Sequence, residues 1–340
     1  MKRRKMIIKR SILFLLPMAA MLASCEVEFS PNAEWKEVPV VYCILDQDED
    51  TTWARVEKCY LGDGDIYGYS SISDSFNYPE GSLDVSLLAL RDGQVVDSMP
   101  FTYTIIDRDS GSFAYIGQPV YFSRTRNRLV NDCTYELRVR HTSDGSLLTS
   151  SQPVSLVIKT ASQVITKPTA NGQFGFYDHN AGNSSALCRI EWPAMQNARL
   201  YQPIIRFYYE VDGDTLHEDF KCSSVKGTYI NSSYSTYYSR DIFLADLYAR
   251  LKDDPRLKHY IKKVDIYMVA CSEELNAYMN TASASGDIGE WHEMYTNMNE
   301  GLGVVAARRT HLRKTVPADS SDATDKGLYY LIKNLGINMQ

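Results

Sequence analysis

The chain has 340 residues, 44% of them hydrophobic and 11% aromatic, with 24 tyrosines. That length supports about two domains and the composition supports a packed core, which excludes a disordered or fibrous chain. A formal charge of −6 excludes the broad basic surface by which proteins hold nucleic acid or anionic lipid.

Six basic residues (Lys2, Arg3, Arg4, Lys5, Lys9, Arg10) precede an apolar run from Ile12 to Leu22. A basic flank before a run too short to remain as a spanning helix predicts a secretory leader. It ends in Leu22-Ala23-Ser24-Cys25, which resembles the bacterial lipobox. The resemblance implies removal of residues 1–24 and acylation of Cys25, on its sulfur and on its amine, with chains such as palmitate. Two or more chains anchor stably, because burial contributes ~0.8 kcal/mol per CH2 and one chain alone is marginal. Losing six positive charges with the leader would take the chain from −6 to about −12, so acyl chains rather than a basic patch would do the anchoring. No second apolar run approaches the ~20 residues that cross a bilayer.

Residues 25–37 read as a lipidated tether. Glu26 and Glu28, just behind the cysteine, resemble the surface-export signal of Bacteroidota lipoproteins, with Val27 separating acids that are usually adjacent. That resemblance implies the outer membrane as location and the cell surface as facing.

From Val38 onward apolar residues alternate with polar ones and turn signals return every eight to twelve residues, which predicts an all-β fold. Val38 to Leu45 and Thr52 to Leu61 flank the acidic turn Asp46-Gln47-Asp48-Glu49-Asp50. Leu83, Val85, Leu87 and Ala89 line one strand face, and Asp92-Gly93 supplies a two-residue hairpin turn. Tyr135, Leu137, Val139 and His141 alternate with Glu136, Arg138 and Arg140, and Val154 to Ile158 closes the unit. About eight short strands make residues 38–160 an Ig-like β-sandwich. Gly62 to Gly81, rich in Gly, Ser, Tyr and Asp, reads as a long surface loop, of the kind that carries binding on a rigid scaffold.

Residues 161–184 read as a linker, with Pro168 and little periodicity. The second domain, residues 185–312, restarts with Ile190-Glu191-Trp192, then Ala198-Arg199-Leu200-Tyr201, then Ile204 to Val211, with Asp212-Gly213 as a further hairpin. A tryptophan on one strand followed by Ala-x-x-Tyr resembles fibronectin type III domains, in which those aromatics fill the space between the sheets. Helical insertions depart from that pattern. Ser239 to Lys252 carries a stripe at Ile242, Ala245, Tyr248 and Leu251, and Ser272 caps a second helix with Glu273 and Glu274 in its first turn. The last strand is expected over Leu302 to Ala307, ahead of a C-terminal segment, residues 313–340, in which Thr315 to Asp325 reads as a solvated linker before a short final element. The fold class is therefore mainly β, two sandwiches, the second with helical insertions.

Leu129-Val130-Asn131-Asp132-Cys133-Thr134-Tyr135-Glu136-Leu137-Arg138-Val139 and the later Tyr295-Thr296-Asn297-Met298-Asn299-Glu300-Gly301-Leu302-Gly303-Val304 follow the lipobox in that order. Together they resemble an uncharacterised family of Bacteroidota outer-membrane lipoproteins whose members are often encoded beside TonB-dependent receptors. The resemblance implies a non-catalytic binding or accessory role with such a receptor as partner, and it supplies no catalytic residues. Two alternatives stand beside it: glycan capture at the cell surface, and a hydrolase using a carboxylate site without a recognisable motif.

Candidate chemistry is sparse. Asp46, Asp48, Asp50 and Glu57 sit at positions 1, 3, 5 and 12 of a calcium-loop pattern, but Thr51 stands where a glycine is wanted. A polar hairpin turn accounts for the same acids. His292-Glu293 opens a zincin-like string that Thr296 breaks, so no metal site and no cofactor is expected. Asn297, Gly301 and Gly303 form either a docking turn or a tight turn into the last strand. Tyr67 and Tyr69, with Tyr78, and a second group at Tyr229, Tyr234, Tyr237 and Tyr238, could stack on sugar rings or anchor an interface, or fill sandwich edges. Asp50-Thr51-Thr52, Asp97-Ser98-Met99 and Asp214-Thr215-Leu216 resemble the Bacteroidota O-glycosylation motif. Beyond Cys25 the cysteines are Cys43, Cys59, Cys133, Cys188, Cys222 and Cys271. None has metal spacing; most read as buried free thiols, with Cys188 and Cys222 expected to form a disulfide.

Overall fold

The structure is a computed structural model, and it describes residues 37–59, 73–107, 117–160, 165–168, 187–211, 214–228, 233–251, 264–283 and 294–316. In the first half the strands are β1 (Pro39–Asp46), β2 (Thr51–Lys58), β3 (Leu83–Arg91), β4 (Gln94–Pro100), β5 (Thr102–Asp107), β6 (Gly117–Arg124), β7 (Thr134–His141), β8 (Leu147–Ser151) and β9 (Val154–Ser155), with the short helix α1 (Ser73–Phe76) after β2. The second half holds β10 (Leu187–Pro193), β11 (Leu200–Val211), β12 (Asp214–Lys221), β13 (Val225–Lys226), β14 (Ser233–Ser239), helix α2 (Arg240–Leu251), β15 (Val264–Cys271), helix α3 (Glu273–Ser283), β16 (Met298–Asn299) and β17 (Leu302–Val316).

The architecture is mainly β and layered. One nine-stranded sheet runs β12-β11-β15-β17-β1-β2-β6-β5, with β13 also on β11. A six-stranded sheet, β16-β8-β7-β3-β4 with β9 on β7, packs on the part of it that contains β1 and β2. The period-two pattern explains that packing: Val41, Cys43 and Leu45 of β1 share one core with Val85, Leu87 and Ala89 of β3 and with Tyr135, Leu137 and Val139 of β7. Asp92 and Gly93 join β3 to β4 with φ of 52° and 76°, the type I′ geometry that matches strand twist.

The second half pairs β10 with β14 over the same large sheet. Trp192, Tyr201 and Tyr234 meet between the layers with ring centroids 5.0–6.4 Å apart, so the tryptophan and tyrosine read from the sequence do occupy the inter-sheet core. Three tyrosines fasten the turn upstream of their own strand. The Tyr135 hydroxyl accepts from Val130 N at 2.6 Å, that of Tyr201 from Met195 N at 2.9 Å, and that of Tyr234 from Thr228 N at 2.7 Å.

Helix α2 forms where expected but buries a different face. Among its described side chains Phe243 and Leu247 are buried, with Phe243 4.7 Å from Phe220 and 6.0 Å from Phe207 between ring centroids. Ile242 and Tyr248 of the predicted stripe are 56% and 46% exposed. The i, i+4 pair Phe243/Leu247 satisfies helical spacing equally well, and the aromatic cluster on β11 and β12 decides between the two. Ser272 precedes α3 as expected. Its hydroxyl donates to the Glu274 carboxylate and accepts from Ala307 N, which ties the helix start to β17.

Strand β17 extends to Val316, beyond the expected end at Ala307, and it changes partners along its length. Its first residues lie parallel to β1, from Val40↔Leu302 to Asp46↔Arg308. From Arg308 to Val316 it is antiparallel to β15. The first sandwich is thus completed by strands from the far end of the sequence, and Arg308 marks the crossing point. Lys314 further ties β17 to residues 165–168 by donating to the carbonyls of Ile165 and Pro168, in a setting whose burial lowers its pKa.

Candidate functional site

The acidic turn between β1 and β2 is consumed by cations. Asp46 accepts from Asp48 N at 3.0 Å and from the Thr310 hydroxyl at 2.7 Å, with Arg308 Nε 3.5 Å away. Asp48 takes Arg309 in two prongs, and Asp50 meets Arg126 at 3.1 Å. Glu57 pairs with Arg55 on its own strand. The four acids at calcium-loop positions therefore point to four different partners, and among the described residues no group of His, Cys, Asp or Glu gathers to hold a metal. The polar-turn reading describes them, with the addition that the turn clasps β17.

Asn297 is 2% exposed, and its side-chain amide pairs with the backbone of Val305 in both directions, Nδ2 to O at 2.8 Å and N to Oδ1 at 3.0 Å. It stands in for a strand partner at the start of β17. Gly303 has φ +103°, and a Cβ there would lie 2.0 Å from the Val41 carbonyl oxygen. At Gly301 a Cβ would meet Pro39 and Thr149 atoms at 3.0–3.1 Å. These three residues shape a tight turn against β1 and β8, and the side chain of Asn297 is spent inside it.

Cys25, Tyr67, Tyr69, Tyr229 and His292-Glu293 lie outside the described residues, as does the Asp212-Gly213 turn. Tyr78, Tyr234 and Tyr238 are buried, whereas Tyr237 is exposed beneath the Arg189 guanidinium, 6.0 Å from its ring centroid. Ser98 and Thr215, in two of the glycosylation-like motifs, are exposed.

The expected bond between Cys188 and Cys222 is absent: both are free, like Cys43, Cys59, Cys133 and Cys271. Each of the two sits buried in the second-half core, where a thiol packs as a small hydrophobe. Burial pushes the Cys43 and Cys222 thiols up to about 12 and Cys271 up to about 11, and it raises Cys188 as well. Protonated thiols of this kind are poor nucleophiles.

One site was not visible in the sequence. On the outer face of the large sheet, a cleft of about 660 Å³ is lined by Ile204 and Arg206 of β11, Asp219 of β12, Tyr267 and Val269 of β15, Arg308 and Thr310 of β17, and Glu49 of the β1–β2 turn. Register explains the convergence. Arg206 and Asp219 are cross-strand partners on β11 and β12, and Ile204 faces Tyr267 across β11 and β15. Arg206 grips Asp219 in two prongs of 2.6 and 2.7 Å and lies over the Tyr267 ring, 4.6 Å from its centroid. Those hydrogen bonds from Arg206 hold the Asp219 carboxyl below the usual carboxylate range. Arg308 is held less firmly. Its side chain is 43% exposed, and its Nε is buried with no hydrogen-bond partner, the Asp46 carboxylate being 3.5 Å away. The sequence signal was only alternation on four separate strands, and nothing in it says which strands lie side by side.

No family model and no curated protein matches the chain. Among solved structures, one described as a cytokine receptor complex in crystal form 1A is similar at TM-score 0.24 and 10% identity, covering 83% of this chain and 98% of that one. A second, the complex in crystal form 2, has TM-score 0.20 and 8% identity, covering 69% and 92%. Similarity this distant carries nothing about function, and the sandwich assignment rests on the sheets themselves.

Proposed function

We propose that the chain is a lipoprotein, acylated at Cys25, that sits in the outer membrane facing the cell surface. It works there as a non-catalytic binding or accessory component, with a TonB-dependent receptor as its membrane partner. The leader and lipobox support the anchor, and Glu26 and Glu28 support the outward facing. The observation that carries the binding role is the cleft on the large sheet, whose carboxylate Asp219 is locked against Arg206 and kept ionised. With both of its oxygens engaged by Arg206, Asp219 has no proton to give as a general acid and no free oxygen set toward a substrate as a base.

The tether fits a partner held close to the bilayer. Residues 25–37 reach about 45 Å at most, at ~3.5 Å per residue. A sandwich held at that height can meet the mouth of an embedded barrel. Purification from membranes in mild detergent tests the partnership: a TonB-dependent barrel should come through in stoichiometric amount. Recovery of the lipoprotein without any barrel would count against it.

A further inference from the structure

The walls of the cleft narrow what it can take. Two cations, Arg206 and Arg308, line it together with two carboxylates, Glu49 and Asp219, and Asp46 stands beside Arg308. Two arginines set among three carboxylates leave no large excess of either sign to draw in an anion or a cation. A ligand carboxylate would meet Glu49 and Asp219, and a ligand ammonium would meet both arginines. Donors and acceptors set side by side suit a group that does both. A hydroxyl donates one hydrogen bond and accepts others, and Thr310 adds a hydroxyl of its own.

The rest of the lining fits a compact ring. Ile204 and Val269 give an apolar floor, and the Arg206 guanidinium stacked on Tyr267 makes a flat ledge beside it. Apolar floors with a few fixed polar groups are the usual make-up of small-molecule sites, and about 660 Å³ lies within their typical range of about 300–1,000 Å³. Arg308 also brings a charged donor group to the cleft lining, its side chain being 43% exposed while its buried Nε faces Asp46 at 3.5 Å.

We propose that this cleft binds a short neutral saccharide. Arg308 and the Arg206–Asp219 pair hold ring hydroxyls, and a ring face lies on Ile204, Val269 and the Tyr267 ledge. The proposal deepens the reading of the chain as a binding protein and rests on it in asking no bond-breaking of the cleft. It needs neither the anchor nor the barrel partner.

Calorimetry on the full chain, purified in mild detergent, tests it with maltotriose, cellotriose, xylotriose, mannotriose and chitotriose, and with trigalacturonate as a charged comparator. At least one neutral trisaccharide should bind, and more tightly than trigalacturonate. Arg308→Met should weaken that binding by roughly tenfold or more, the usual effect of losing a hydrogen bond to a charged group. Val269→Trp, which fills the cleft without removing a polar group, should weaken it at least as much. Val95→Ala, at an exposed position on β4 of the six-stranded sheet, should leave it unchanged. Binding of trigalacturonate alone, binding of none of the sugars, or wild-type affinity in both cleft variants would overturn the proposal. Saccharide binding by a chain that is not retained in membranes would refute the anchor and leave the cleft assignment standing; retention without saccharide binding would do the reverse.

Discussion

Asp48 and Arg309 lie 261 residues apart in the chain and form a two-pronged ion pair, with Arg309 Nε 3.1 Å and Nη2 2.5 Å from the two carboxylate oxygens. Both side chains are 13% exposed. The pair fastens the β1–β2 turn to β17, at the point where β17 leaves β1 for β15.

A charge this sheltered is costly to leave alone. Arg309→Met should lower unfolding free energy by about 1.5–3 kcal/mol, the scale of a lost hydrogen bond to a charged group. Asp48→Asn with Arg309→Met should cost clearly less than the sum of the two single changes. Denaturant melts of the four proteins give the coupling directly. Strict additivity would show that the two residues do not act as a unit.

The pairing of β1 with β17 depends on a backbone position only glycine can hold. At Gly303, φ is +103° and a Cβ would stand 2.0 Å from the carbonyl oxygen of Val41, its register partner. Gly303→Ala should therefore destabilise by about 3 kcal/mol or more. Gly301→Ala, whose added Cβ would meet neighbours at 3.0–3.1 Å, should be milder. Thermal melts that rank the two substitutions the other way would contradict the role assigned to Gly303.

These two relationships show where sequence reading reached and where it stopped. Local devices were legible because their chemistry lies within a few residues: the Asp92-Gly93 turn, the strand alternation at Leu83 to Ala89 and at Tyr135 to His141, and the start of α3 behind Ser272. The end of β17 was missed because Arg308, Arg309 and Thr310 break the apolar pattern, and those polar residues are explained only by Asp46 and Asp48 across the sheet. The calcium-like spacing of the acidic turn was real as a pattern, but Arg55, Arg126, Arg308 and Arg309 decide what the acids do. The face of α2 turned on Phe207 and Phe220, which lie on other elements. The cleft joins four strands and a turn, and periodicity carries no information about which strands are neighbours.

The Arg206–Asp219 pair makes a pH prediction with a definite sign. Arg206 lowers the Asp219 pKa in the folded chain, below the unfolded value of about 3.9. A group depressed on folding contributes stability that is complete above its unfolded pKa and is lost as pH falls through the folded one. Asp219→Asn should therefore lower the melting temperature at pH 7, and the gap to wild type should close as pH drops below about 4. Asp97, lowered by its hydrogen bonds from Arg128, should behave alike in Asp97→Asn. A gap that stays constant from pH 7 down to pH 2 would show that the loss is one of packing.

The proposed anchor is tested most directly by Cys25→Ala, with wild type and variant compared by palmitate labelling, membrane fractionation and protease shaving of intact cells. The wild-type chain should take up label, fractionate with the outer membrane and be cut from outside while a periplasmic marker survives. The variant should take up no label and leave the membrane. A variant that stays in the membrane pellet would contradict the anchor, and a wild-type chain wholly protected in intact cells would contradict its outward facing.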